Sequence, residues 1–386
     1  MTTQIAILNM TGLAIASDTL ATLKVGSAFK VSHGHSKIFT PGSEHQFVVY
    51  HSGHSALNDV PIRLHVDAWF KTLTKPLPTI DAYVESYKKF CESAKAPQTK
   101  ASERELLMAL ADDTIQICRE NIDKSVGHLK DDLDNPENRK FWNEALIKEA
   151  KSALDFYKDL PCFDGFNETT TKEIITQLKV SVKDPILLYF PEGHPSRFAS
   201  ILAKAFVFRA ASKVESAFDA YLTFSGFGTK EIFPVSRRIN LRGVIGGKLQ
   251  SDPDNDVTIE SGGRGMGIVY GAQCDAMFGV IQGYRGIMEH HVRTNILSLM
   301  PELPEINALA DDVVNGMKTI ASRDYVGPAL RRMANFSLGE LAQTTRDLVN
   351  LQILSAKLSG SSETIGGEIE YLTIDKVNGI RWQNRI

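Results

Sequence analysis

The chain has 386 residues, a formal net charge of −3 and 43% hydrophobic residues, enough for one large or two ordinary domains with a sizeable core. The near-balanced charge supplies no field for nucleic acid or an anionic membrane surface, so neither partner is expected. No apolar run approaches membrane-spanning length, and Thr2 to Asn9 lacks the basic start and continuous apolar stretch of a secretory signal.

The first predicted element is a β-hairpin. Thr3, Ile5 and Ile7 alternate with Gln4, Ala6 and Leu8, a turn falls at Asn9 to Gly12, and Leu13 to Ser17 is a second apolar run ended by Asp18. An initiator Met before a residue as small as Thr is normally trimmed, which leaves Thr2 with both a hydroxyl and a free α-amine. An α-amino group titrates near ~7.7 to 8.0, so close to neutral pH part of it is uncharged and accepts the hydroxyl proton, directly or through one water. The returning strand brings Asp18 back towards Thr2, and a carboxylate there needs a cation. The next candidate is Lys37, in Ser36-Lys37-Ile38-Phe39, which reads as the start of a third strand. A fourth apolar run, Phe47 to Tyr50, leads into His51-Ser52-Gly53-His54-Ser55.

With Thr2 as the first mature residue, Thr2-Thr3, Gly12 and the run Ala16-Ser17-Asp18-Thr19-Leu20-Ala21-Thr22 resemble the N-terminal threonine hydrolases, namely the proteasome β subunits and the related bacterial ATP-dependent ring peptidase. Lys37 arrives a few residues later than the family lysine, after a longer loop. The resemblance implies a four-layer αββα sandwich of the N-terminal nucleophile class, with two antiparallel sheets between helical layers and no cofactor. It implies Thr2 as nucleophile, Lys37 as the cation that lowers proton affinity around it, Asp18 as the partner of Lys37, and the Gly53 amide as oxyanion donor. It further implies that the backbone at Ala21-Thr22 and at Gly53 to Ser55 holds an extended peptide as an added strand. Ala21, His35, His51 and Ser55 would line the pocket for the residue before the cut bond. An ammonium near the hydroxyl favours the alkoxide, and a backbone N–H aimed at the developing oxyanion contributes about 3 kcal/mol in acyl transfer. The plainer alternative is an edge hairpin with an incidental Thr-Thr start and a surface Asp-Lys pair; several matches in register weigh against it.

Beyond Gly53, apolar residues at helical spacing predict helices over Ile62 to Leu73 and Thr79 to Ala94, followed by a polar linker from Ser93 to Lys100. There the resemblance lapses. Residues 93–195 read as a charge-rich α-helical insertion that covers the cleft or contacts a regulatory partner, between a first core half at 2–92 and a second at 196–386. The acidic run Asp131-Asp132-Leu133-Asp134-Asn135-Pro136-Glu137 reads as a solvated turn, since ligands at oxygen-site spacing are missing. A helix over Ser196 to Ala217 returns the chain to strands at Ala220 to Phe224, Ile232 to Ile239 and Gly243 to Leu249. Ser225-Gly226-Phe227-Gly228 resembles the family turn whose serine supports the N-terminal amine, with Phe227 at the serine position.

Ser261-Gly262-Gly263-Arg264-Gly265-Met266-Gly267 lacks the Lys-Ser/Thr ending of a phosphate loop and reads as the loop entering a helix over Ile268 to Gly279. Further helices are expected over Arg285 to Leu297, Pro304 to Ser322 and Leu338 to Leu358, and the chain closes with a hairpin of Ile369 to Ile374 and Ile380 to Gln383 about Asn378-Gly379. Ser362-Glu363-Thr364-Ile365-Gly366-Gly367 resembles the family's Asp-x-x-Ser-Gly-Gly, with Ser362 at the acid, Ile365 at the serine and Glu363 as a substitute acid one residue away.

Cys91, Cys118, Cys162 and Cys274 have no short paired spacing, which argues against a disulfide framework or zinc site and suits buried free thiols in the cytoplasm. His33, His35, His51 and His54 lie on irregular segments without a carboxylate helix motif, so they read as substrate-pocket lining and not as metal ligands. Such a polar, titratable pocket predicts no strong preference for large apolar side chains. The expected function is amide-bond hydrolysis, with peptides as the preferred substrate class, by a chain able to form a closed homo-oligomer. Two rivals stand beside it: an amidohydrolase of a small acylated metabolite, and a catalytically silent assembly or binding subunit.

Overall fold

The computed structural model describes residues 2–25, 28–166, 186, 188–299, 305–359 and 365–384, with 22–25 and 28–31 described through their backbone. Strand β1 (Thr3–Asn9) turns back as β2 (Gly12–Asp18). The turn is tied by Asn9, whose side-chain oxygen accepts from the amide and hydroxyl of Thr11 at 2.9 and 2.6 Å. A hairpin of β3 (Ala21–Val25) and β4 (Ala28–Ser32) follows, then β5 (Ile38–Phe39), β6 (Gln46–Gly53), a small hairpin of β7 (Ala56–Leu57) and β8 (Val60–Pro61), and helices α1 (Ile62–Phe70) and α2 (Ile80–Cys91). The β3–β4 hairpin, which lies between Asp18 and Lys37, was not legible as strands.

Helices α3 (Lys100–Val126), α4 (Pro136–Lys158) and α5 (Ser196–Ala211) precede β9 (Ala220–Phe227), β10 (Val235–Ile245), β11 (Lys248–Thr258) and β12 (Met266–Ala272). Then come α6 (Asp275–Gln282), α7 (Ile287–Leu299), α8 (Ile306–Ala321), α9 (Gly327–Met333), α10 (Leu338–Leu358), β13 (Ile369–Asp375) and β14 (Gly379–Trp382).

The strands form two five-stranded antiparallel sheets, ordered β12-β1-β2-β13-β14 and β11-β10-β9-β6-β5. Side-chain alternation along a strand decides what each face meets. Ala6 and Leu8 of β1 join Leu13, Ile15, Val48, Tyr50 and Leu372 in a core between the sheets, while Ile5 and Ile7 meet Met277 of α6 and Leu341 and Val349 of α10. On the far side Phe47, Val49, Leu222 and Phe224 pack under Val66 and Trp69 of α1 and Tyr83 and Tyr87 of α2. The layers therefore run helices, sheet, sheet, helices, an α+β sandwich.

A separate core unites α3, α4 and α5 through Leu110, Ile115, Trp142, Leu146, Leu202 and Phe206, and touches the sheets at Ile245. Two expected elements differ. Residues 266–272 form a strand beside β1 where a loop and, from Ile268, a helix were expected, because an apolar run without clear period reads either way. The turn between β10 and β11 lies at Gly246-Gly247, both at positive φ, and not between Ile239 and Gly243, where irregular pairing lets one strand continue. Among the described residues no helix is long and apolar enough to cross a membrane.

Candidate active site

Asp18 ends β2, opposite Ile369 of β13, and is fully buried. Its Oδ1 accepts from Lys37 Nζ at 2.6 Å and from the Thr3 amide at 3.0 Å, and its Oδ2 accepts from the Gly366 amide at 3.1 Å. One cation and two dipoles thus converge on a charge held away from water, the arrangement that makes a buried carboxylate tolerable. Lys37, just before β5, is itself buried. Burial draws its pKa below the usual lysine value, and Asp18 opposes that shift by charge and hydrogen bond.

The peptide unit between Thr2 and Thr3 is clamped from two sides. Its N–H reaches Asp18, and its carbonyl accepts from the Gln273 amide at 2.9 Å. Thr2 is 5% exposed, and its position in the chain shares the alternation of Gln4, Ala6 and Leu8. Gln4, buried two residues on, donates from Nε2 to the His51 carbonyl at 2.9 Å, and the His51 amide donates to the Lys37 carbonyl at 3.1 Å. Two bonds therefore tie the β1 strand and the Lys37 segment to β6, the strand that ends at Gly53.

Gly53 pairs with Ala220 and takes φ +81°, with the Asp219 carbonyl so near that a Cβ would lie 2.6 Å from it. That same carbonyl accepts from the His54 amide at 2.9 Å, and the His54 ring stands edge-on to Phe218 at 5.5 Å. His51 stacks on Phe39 at 5.6 Å, and its Nδ1 has no hydrogen-bond partner among the described residues. Burial, with the Lys37 charge adding to it, lowers the His51 pKa to about 4, so the ring is neutral at physiological pH. Ser55 accepts at its carbonyl from the Ile62 amide at 2.9 Å, at the start of α1.

The other residues singled out from the sequence have different surroundings. His35 is exposed, bonded to Ser32 Oγ at 2.8 Å, with its amide donating to the Thr19 carbonyl at 2.9 Å. Ala21 and Thr22 pair with Ser32 and Val31 across the β3–β4 hairpin. Ser225, Gly226 and Phe227 lie within β9 and form no turn beside Thr2. Ser225 Oγ instead bonds Tyr50 and Ser236 at 3.2 and 2.7 Å inside the sandwich, and Phe227 lies under the Lys376 ammonium. Met1, Ser362 and Glu363 lie outside the described residues.

The segment that does lie against Thr2 is Ala272-Gln273, with Ala272 paired to Thr3 and held at φ +53°. Sequence reasoning missed it because these residues fell inside an expected helix. The Gly366-Gly367 pair, by contrast, was marked by its spacing before the last hairpin, and its first amide holds Asp18. Among the described residues no group of three or more His, Cys, Asp or Glu side chains is arranged to hold a metal ion.

Comparison with known proteins adds little to this geometry. No protein-family model matches the chain, and no curated protein matches it. Among solved structures it is similar to Anbu from Hyphomicrobium sp. strain MC1, at 10% identity over 99% of this chain and 85% of that one, with a TM-score of 0.29. It is also similar to the Gly-1 mutant of Anbu from that strain, at 11% identity over 100% and 85% of the two chains, again with a TM-score of 0.29.

Proposed function

We propose that the chain is an N-terminal nucleophile hydrolase that cuts an amide bond through an acyl-enzyme on Thr2 once Met1 has been removed, with peptides as the preferred substrate class. The observation that carries this reading is the Thr2-Thr3 peptide unit, clamped between Gln273 and the buried Asp18–Lys37 pair. A random Thr-Thr terminus has no reason to be pinned beside a buried ammonium, whose desolvation is costly unless it is used or compensated.

In this reading the Thr2 α-amine takes the hydroxyl proton, directly or through one water, and Oγ1 attacks the substrate carbonyl. The Lys37 ammonium favours the alkoxide and Asp18 holds that ammonium in place. The oxyanion of the tetrahedral adduct takes a hydrogen bond from the Gly53 amide. The carbon–nitrogen bond then breaks, the leaving amine departs with the transferred proton, and water cleaves the Thr2 ester to release the acid and restore the hydroxyl. The substrate strand is assigned to the backbone of Ala21-Thr22 and Gly53 to Ser55, and its pocket to Ala21, His35, His51 and Ser55. Residues 2–92 and 196–386 are assigned to two core halves, and 93–195 to an inserted helical unit that covers the cleft or meets a partner, with α5, at the start of the second half, packed on the inserted helices.

The test has two steps. Intact-mass measurement is expected to show loss of one methionine, and a threonine-directed peptide electrophile such as an epoxyketone is expected to add once to the wild type and not to Thr2→Ala. Retained Met1, or labelling unchanged in Thr2→Ala, overturns the reading and favours a silent binding subunit.

A further inference from the structure

The reading of Gly53 as oxyanion donor leaves open what fixes its strand end, and a buried arginine answers this. Arg242, on β10, has a fully buried side chain whose guanidinium meets four residues. Nε donates to Asp219 Oδ1 at 2.9 Å and Nη2 reaches Asp219 Oδ2 at 3.4 Å. Nη1 donates to the Ser212 carbonyl at 2.8 Å, Nη2 to the Val214 carbonyl at 2.5 Å, and the group lies over the Phe163 ring at 5.0 Å.

These partners come from separate parts of the chain. Ser212 and Val214 are the first residues after α5, and Phe163 follows α4, bonding back through its amide to the Ala211 carbonyl at 2.9 Å. Asp219 starts the run into β9, and its carbonyl is the acceptor for the His54 amide, hard against Gly53. The same exit segment carries Phe218, whose ring meets His54. Helical block, guanidinium, carboxylate and Gly53-His54 backbone are thus linked in series, and the bonds made by Arg242 are buried or part-buried.

We infer that Arg242 and Asp219 are a positioning pair: they set the Gly53-His54 backbone, and with it the geometry of oxyanion binding, according to the seating of the α3–α5 block. Neither residue touches the reacting atoms. A partner that shifts α5 would act on the Thr2 centre through this pair, which gives the packed α3–α5 block a controlling role. The inference rests on the proposed hydrolase reading only for its effect on turnover; the mechanical link is independent of it.

The experiment compares wild type, Arg242→Lys and the double variant Arg242→Met/Asp219→Asn, which removes both buried charges together so that neither is left unpaired. Amide hydrogen exchange reports the His54 amide directly, and the rate of Thr2 acylation by a peptide epoxyketone reports the site. The double variant is expected to speed His54 exchange about tenfold while α3 and α4 stay protected, and to slow acylation about tenfold at unchanged probe affinity, with Arg242→Lys between the two. His54 exchange within about twofold of wild type overturns the positioning role, as does acylation unchanged despite faster exchange. A wild type that never reacts with the probe refutes the hydrolase reading instead, and the exchange result then still decides the mechanical link.

Discussion

Asp18 and Gly366 lie 348 positions apart in the chain and meet at 3.1 Å, carboxylate oxygen to backbone amide. The acid at the end of the first hairpin is therefore completed by the segment that leads into the last one. Replacing Asp18 by Ala leaves the Lys37 ammonium buried without its partner and strips the Thr3 and Gly366 amides of their acceptor. Stability is expected to fall by about 3 to 5 kcal/mol, read as a lowered denaturant midpoint with unchanged slope, and Lys37→Met is expected to be less damaging to the fold than Asp18→Ala. Equal stability of Asp18→Ala and wild type would show that the carboxylate is not needed to hold this junction.

Gly53 has two reasons to be glycine: its φ of +81° and the 2.6 Å approach of a Cβ to the Asp219 carbonyl. Gly53→Ala is expected to cost roughly 1 to 3 kcal/mol and to slow Thr2 acylation at least tenfold, on the order expected when an oxyanion donor moves. Acylation at the wild-type rate in a folded Gly53→Ala protein would remove this amide from the mechanism.

Gln4 spans the space between the sheets to reach the His51 carbonyl. Gln4→Leu keeps the volume, abolishes that bond and leaves a part-buried acceptor without it, an expected loss of about 1 kcal/mol. Calorimetric melting checks it; a Tm equal to wild type would mean that the two strands are held together by the apolar core alone.

Burial lowers both His51 and His65 to about 4, against about 6.5 for an unperturbed imidazole. Between those values the unfolded chain binds protons at these rings that the folded chain does not, so stability rises with pH across that interval. Their contribution is present in full above pH about 6.5 and is lost as pH falls towards about 4. Denaturant midpoints are expected to decline over this window, with a shallower slope in His65→Gln. A flat profile from pH 7 to 4 would contradict the burial of the two rings.

The first hairpin and the last were legible because their strands are bounded by strong turn signals, Asn9 to Gly12 and Asn378-Gly379. Asp18 and Lys37 were legible as a pair because an antiparallel return fixes where the acid must fall. Strand β12 was not: only Gly271 to Cys274 separate Ile268, Val269 and Tyr270 from α6, too short a break to mark where strand gives way to helix. Gln273 and Ala272 were hidden for the same reason, and Arg242 carried no local signal at all. Its meaning comes from Ser212, Val214 and Asp219, which reach it only once the chain has folded.

Strand β1 is made first and is flanked on one side by β12, made after more than half the chain. Until residue 273 leaves the ribosome, the Thr2 carbonyl lacks the amide that later covers it. The sheet that holds β1 is therefore completed only when most of the chain has been synthesised, and the Thr2-Thr3 peptide unit is fixed late in the making of the molecule.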